Sequence, residues 1–144
     1  MKSIVTLEKV TATEAQVEAL YELLGARRYS ISHKVQPSFL KHQEFVRNHP
    51  YRVWYIVNLD SHTIGTAYVQ YDNAIGLTNL EEMDVEVIEE VLLKLTRDLL
   101  PLDAIPSVRF GDFFFRVSFS NNLLQKKLEK LGYRPSEICY TSAE

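Results

Sequence analysis

The sequence predicts a single α/β (α+β) domain spanning residues 1–144, with a mainly antiparallel central sheet flanked by helices. Three observations carry this. Segments dense in β-branched and aromatic residues are separated by segments whose apolar residues recur at helical spacing. Two of the strand-like segments are joined by only a few turn-forming residues, as hairpins are. The 144 residues are 46% hydrophobic and 11% aromatic, enough for one real core and too few for a second domain.

Ile4-Val5-Thr6-Leu7 reads as a short first strand. Thr13-Glu14-Ala15-Gln16 then has the form of a capping box, in which side chains satisfy two N–H groups that a helix start leaves without partners. Val17, Leu20 and Leu24 place one face of that helix on the core, and Gly25 is expected to close it in the left-handed conformation. Pro37-Ser38 opens a second helix carrying Phe39, Leu40, Phe45 and Val46. It must stop by His49-Pro50, because a residue before proline is pushed out of the helical region.

Arg52 to Leu59 and Thr63 to Tyr71 are strand-like runs joined by Asp60-Ser61-His62, which makes a hairpin. Asp72-Asn73 is a second turn signal leading into Ala74-Ile75-Gly76-Leu77-Thr78, so the centre reads as a three-strand meander. Val85, Ile88, Leu92, Leu95 and Leu99 follow at spacings of three and four and predict an amphipathic helix to about Leu100. Phe113 to Phe119 is an apolar run of strand length. Asn121 can cap the next helix, whose stripe is Leu124, Leu128 and Leu131 and whose end is Gly132. Glu137 to Thr141 is expected as a last strand.

Several function classes are disfavoured. A formal net charge of -3, with Lys and Arg spread along the chain, lacks the basic face that nucleic-acid binding uses to displace counterions. No apolar run reaches the roughly 20 residues of a membrane span, and Met1 to Glu8 lacks a signal peptide's apolar stretch, so a cytoplasmic location without membrane contact is expected. Cys139, the single cysteine, forms no internal disulfide, and His33, His42, His49 and His62 show no metal-ligand spacing, so no metal is predicted. Ser38-Phe39-Leu40-Lys41 matches S-x-x-K but lacks the companion motifs of serine nucleophiles and reads as a helix cap. Walker, G-x-G-x-x-G and G-x-S-x-G motifs are absent.

The ending Asn121…Leu128-Glu129-Lys130-Leu131-Gly132-Tyr133 resembles the GNAT superfamily of acyl-CoA N-acyltransferases, whose members often carry an asparagine at a final helix start and a (F/Y)-E-K-L-G-(F/Y) ending. The order of elements agrees over the whole chain. The meander, with Ile64-Gly65-Thr66-Ala67-Tyr68 and Asn73-Ala74-Ile75-Gly76-Leu77, looks most like the branch acting on nucleotide-linked amino sugars. The resemblance implies a mixed sheet in which two parallel strands, Ile75 to Leu80 and Phe113 to Phe119, splay to admit the pantetheine arm of acetyl-CoA. Backbone groups near Leu77 and Asn79 would bond that arm, and Asn121 would position it. It further implies transfer of an acetyl group to a small amine or amino sugar. His49 either lines the acceptor pocket or is structural beside Pro50, and Tyr55, Tyr68 and Tyr71 either stack on an acceptor or pack on a strand face. A homodimer is compatible with the resemblance, and no residue stands out as the general base.

The family's Q/R-x-x-G-x-G/A loop, which brings backbone N–H groups to the CoA pyrophosphate at a helix start, aligns with Asp84-Val85-Glu86-Val87-Ile88-Glu89. The surrounding decapeptide, Glu81 to Glu90, holds six acids, no base and no glycine. A unit charge ~8 Å from the phosphate at an effective dielectric of ~20 costs about 2 kcal/mol before salt screening, roughly a 30-fold loss of affinity per carboxylate. Leu128 also stands where many members carry a tyrosine that protonates the leaving thiolate. The acidic run reads as a solvated helix start with weakened or absent CoA binding, as a site where CoA is held mainly through its pantetheine arm, or as a cation or polyamine site. The two functional readings are an N-acetyltransferase and a catalytically silent binding or assembly module on the same fold.

Overall fold

The structure, a computed structural model, describes residues 3–28 and 35–142. Five strands form one sheet in the order β1 (Val5–Lys9), β2 (Val53–Leu59), β3 (His62–Val69), β4 (Ala74–Thr78) and β5 (Phe114–Phe115). The first four pair antiparallel and β5 joins β4 in parallel. Both sharp turns of the meander use left-handed residues: Asp60 and Ser61 between β2 and β3 (φ 49° and 70°), and Asn73 between β3 and β4 (φ 74°). Asp and Asn tolerate that region better than most residues because their short polar side chains bond locally. Here Asp72 Oδ1 accepts from the Ala74 N–H at 3.0 Å.

Strand alternation divides the core in two. Helices α3 (Val85–Arg97) and α4 (Asn122–Lys130) cover one face, where Val57, Ala67 and Ile75 meet Ile88, Leu92 and Leu128. On the other face, α1 (Glu14–Gly25) and α2 (Phe39–Arg47) pack Val17, Leu20 and Val46 on Trp54 and Ile56. The caps read from sequence are in place. Thr13 and Gln16 form the full capping box, Ser38 Oγ accepts from Lys41 N, and Asn121 Oδ1 accepts from Leu124 N at 3.1 Å.

Three expectations are corrected. Gly25 is the last residue of α1, and Ala26 caps it in the right-handed region, so no left-handed closure is used there; Gly132 does take it, at φ 102°. Helix α3 ends at Arg97 rather than near Leu100, whose carbonyl instead accepts from the Arg52 guanidinium at 2.8 Å.

The largest correction concerns the C-terminal third. The apolar run from Phe113 pairs only through Ala74↔Phe114 and Ile75↔Phe115 and then leaves the sheet, with Phe119 89% exposed. Glu137 to Thr141 forms no strand, and Ile138 and Tyr140 face solvent. β5 is an edge strand, like β1, but where β1 pairs over five residues β5 pairs over two.

What holds β5 in place is Asn73. Its side chain is fully buried and makes three bonds, donating to the carbonyls of Leu102 (2.8 Å) and Phe110 (2.7 Å) and accepting from Leu102 N (2.7 Å). One turn residue thus anchors both ends of the loop that delivers β5, and Phe114 N bonds the Asn73 carbonyl at 3.2 Å.

Candidate functional site

The parting of β4 and β5 leaves backbone groups of β4 without a strand partner. Arg116 N reaches the Ile75 carbonyl at 3.3 Å, the last rung between the two segments. Strand alternation points the N–H and C=O of Leu77 at the same edge, where β5 no longer runs. Beyond it, Asn79 turns left-handed at φ 62° and anchors its side-chain amide on the Leu23 carbonyl at 3.0 Å. Asn121, 5% exposed, spends its Oδ1 on capping α4.

The corner between β4 and α3 is acidic in space as well as in sequence. Glu82, Asp84, Glu86 and Glu89 are exposed, and Asp84 occupies the N-cap position of α3 without making a side-chain cap bond. Val87 packs on the core and Val85 is half-buried. From α4, Lys127 sends its ammonium into this corner, where it donates to the carbonyls of Glu81 (2.6 Å) and Met83 (2.5 Å). The Lys127 ammonium is therefore tied to protein oxygens, and the Arg28 guanidinium pairs with Glu82. Leu128, one residue on from Lys127, is buried in the core.

On the opposite face a cleft of about 260 Å³ opens between α1, α2 and the sheet. Its walls are aromatic. Tyr51 and Tyr68 stack with centroids 4.1 Å apart and planes 16° apart, and Trp54 meets Tyr51 edge-on at 5.2 Å. At its inner end Thr66 and Thr78 share a hydroxyl hydrogen bond of 2.5 Å, and Thr78 and Asn79 bring the end of β4 into the wall. The cleft and the vacated edge of β4 thus adjoin across Leu77, Thr78 and Asn79.

Burial governs the titrating groups here. Desolvation raises the phenol of Tyr51 and that of Tyr68, against the opposing pull of the Arg27 guanidinium. Desolvation also lowers the imidazole of His42, with a backbone bond to Val17 opposing it. Among the described residues, the buried Nε2 of His42 has no hydrogen-bond partner.

The residues expected at an acceptor site separate. Tyr68 lines the cleft. His49 stands behind it, accepting from Tyr51 N at 3.2 Å through Nδ1 and packing on Tyr51 and Trp54. Tyr55 is on the other face of the sheet, in a hollow with Leu7, Lys94 and Leu99, since neighbouring strand residues point to opposite sides. Tyr71 is 60% exposed and outside the cleft. Arg27, His42, Tyr51 and Trp54, not singled out as acceptor-site residues from sequence, line it. For His42 a signal existed: it lies four residues before Val46, on the inward stripe of α2. No three metal-ligating side chains converge among the described residues, and His33 lies outside them. No helix among those residues is long and apolar enough to cross a membrane.

A meander joined to a parallel strand that leaves it midway, with two helices on each face, defines the acyl-CoA N-acyltransferase (GNAT) fold. Solved structures that share it include the aminoglycoside N-acetyltransferase AAC(6')-Iy in complex with CoA, at a TM-score of 0.59 and 14% identity, covering 100% of this chain and 97% of that one. Another is AAC(6')-Ib11, at 0.55 and 17%, covering 92% and 86%. A third is a possible acetyltransferase from Clostridium difficile 630, at 0.54 and 9%, covering 100% and 98%. At these identities the likeness establishes the fold. No family model matches the sequence, and no curated protein does.

Proposed function

We propose that this protein is a small-molecule N-acyltransferase that holds its thioester cofactor, acetyl-CoA, chiefly along the vacated edge of β4. The observation that carries this is the adjacency of two features: the backbone of Leu77, turned toward an edge that β5 has left, and an aromatic cleft whose inner end is Thr78 and Asn79. Acetyl-CoA supplies an activated acyl group. The Leu77 N–H would bond the pantetheine arm, and the Asn79 turn would direct the chain end toward the cleft. His42 is the cleft-lining imidazole kept neutral near pH 7, and Nε2 is the atom to receive a proton from an acceptor ammonium.

The pyrophosphate half of the cofactor does not fit the same way. The α3 helix start has no side-chain cap, but exposed carboxylates surround it and Lys127 is engaged with carbonyl oxygens. Binding should therefore depend little on the nucleotide end. Titration calorimetry with acetyl-CoA and with S-acetylpantetheine, which lacks that end, is the test. Similar affinities are expected, and replacing Asp84, Glu86 and Glu89 by their amides should strengthen acetyl-CoA alone. If neither thioester binds, even to the amide variant, the acyltransferase reading fails.

A second reading, a catalytically silent binding module, is favoured by the same corner. Its acids, its tied lysine and the buried Leu128, which offers no hydroxyl to a leaving thiolate, are what an abandoned cofactor site would carry. Absence of thioester binding, with the cleft still taking ligands, is its expected signature.

A further inference from the structure

We infer that the cleft between α1, α2 and the sheet takes a small ligand with an oxyanion head, carboxylate or phosphate, on a flat apolar body. This deepens the acyltransferase reading and rests on it for the ligand's role as acceptor; binding itself stands apart from any thioester.

Charge is the first observation. Arg27 and Lys41 line the cleft, and among the described residues no Asp or Glu does. The side chain of Arg27 has neither an ion pair nor a hydrogen bond among the described residues; the residue is half-buried, and its buried Nε is one of the side-chain polar atoms left without a partner. Its neighbour in sequence is different: Arg28 pairs with Glu82. A guanidinium held beside phenol rings with no counter-ion is an unmet demand for an anion, because its planar fork matches a carboxylate or phosphate edge.

The second observation is where unmet polar groups gather. Among the described residues, the buried side-chain nitrogens and oxygens with no partner are Arg27 Nε, His42 Nε2, Trp54 Nε1 and Asn79 Oδ1. All four belong to residues lining this cleft. Each such atom costs about 1–3 kcal/mol when left unpaired in the interior, so their concentration at one place marks a region built to be completed by something else. His42 and Trp54 are themselves more than nine-tenths buried.

Shape and size select the body. The Tyr51–Tyr68 stack and the indole of Trp54 offer flat faces, and about 260 Å³ lies just under the roughly 300 Å³ at which small-molecule pockets begin. A multi-ring aminoglycoside carrying several ammonium groups is mismatched on both counts.

The test uses the full-length protein and its single tryptophan, Trp54, as the reporter. Fluorescence titrations with phenylpropionate, phenyl phosphate, phenylpropylamine and tobramycin compare the head groups. We expect saturable binding of at least one oxyanion, about tenfold or more tighter than the amine, weakened by salt. Which oxyanion binds better separates a carboxylate from a phosphate ligand. Arg27→Gln should lose about tenfold, Arg27→Lys less and Lys41→Gln a few-fold, with circular dichroism confirming that each variant is folded. Equal or tighter binding of the amine or of tobramycin overturns the inference, as does oxyanion binding unchanged in both Arg27→Gln and Lys41→Gln, or no binding at all. Thiol release from acetyl-CoA with aminomethylbenzoate is measured separately. Oxyanion binding without thiol release leaves the inference standing and removes the acyltransferase role.

Discussion

Gly76 of β4 lies directly beneath the ring of Tyr68 on β3: a Cβ added at Gly76 would sit 2.0 Å from the Tyr68 Cζ and 2.4 Å from its hydroxyl oxygen. The absence of a side chain at this position is what lets Tyr68 lie flat and stack on Tyr51. Gly76→Ala should therefore push the phenol out of the cleft and cost about 1–3 kcal/mol, the usual penalty for overfilling a packed site. Urea denaturation of Gly76→Ala, Tyr68→Ala and the double variant checks this. The double variant should be more stable than the sum of the single losses predicts, because removing the ring removes the clash.

Asn73→Ala should be the more damaging change. It removes three buried bonds at once and leaves the carbonyls of Leu102 and Phe110 and the N–H of Leu102 without their partner. A loss of about 3 kcal/mol or more is expected. Hydrogen exchange should show protection lost first at Phe114 and Phe115, while the β2–β3 hairpin keeps its own.

Stability should fall between neutral and mildly acidic pH. Burial holds His42 and His49 below the ordinary histidine value, so the unfolded chain binds protons there more readily than the folded one. The stability is full above about pH 6.5 and declines as pH drops through that value to the folded ones. His42→Gln should flatten the slope of unfolding midpoint against pH over that window. A second loss belongs to Asp72. Burial works to raise its carboxyl, but the Ala74 N–H and the Arg116 guanidinium outweigh it and hold it below the usual range. Its contribution is present above about pH 4 and is lost as acid takes it through the folded value.

Lys127→Met should loosen the joint between α4 and the β4–α3 corner. The carbonyls of Glu81 and Met83 would lose their charged donor, and a drop of about 1–3 kcal/mol, or several degrees in Tm, is expected. Differential scanning calorimetry measures it. Lys127→Arg should recover only part, since a guanidinium fork does not reproduce a compact ammonium between two carbonyls.

The features legible in the sequence were those set by near neighbours. Thr13 and Gln16 form their box within three residues, Asn121 caps its own helix, and Asp72-Asn73 turns the chain locally. What depended on distant partners was harder to read. Phe113 to Phe119 has strand composition, but nothing in its own residues records that pairing with β4 stops at Phe115. Tyr55 and Tyr68 look alike in sequence, and only the register between β2 and β3 assigns them to opposite faces of the sheet. The cleft was least legible, because Arg27 beyond the end of α1, His42 of α2 and Trp54 of β2 converge with no local pattern to record it.

The Asn73 anchor also bears on the order in which the chain folds. The β2–β3–β4 meander is joined by short turns and needs little loop closure, whereas Asn73 must find partners 29 and 37 residues further on. That search costs chain entropy before any bond offsets it. The parallel rung of β5, and with it the vacated edge of β4, is thus expected to be acquired late: a nascent chain would hold a finished hairpin sheet before it holds the place where a thioester could lie.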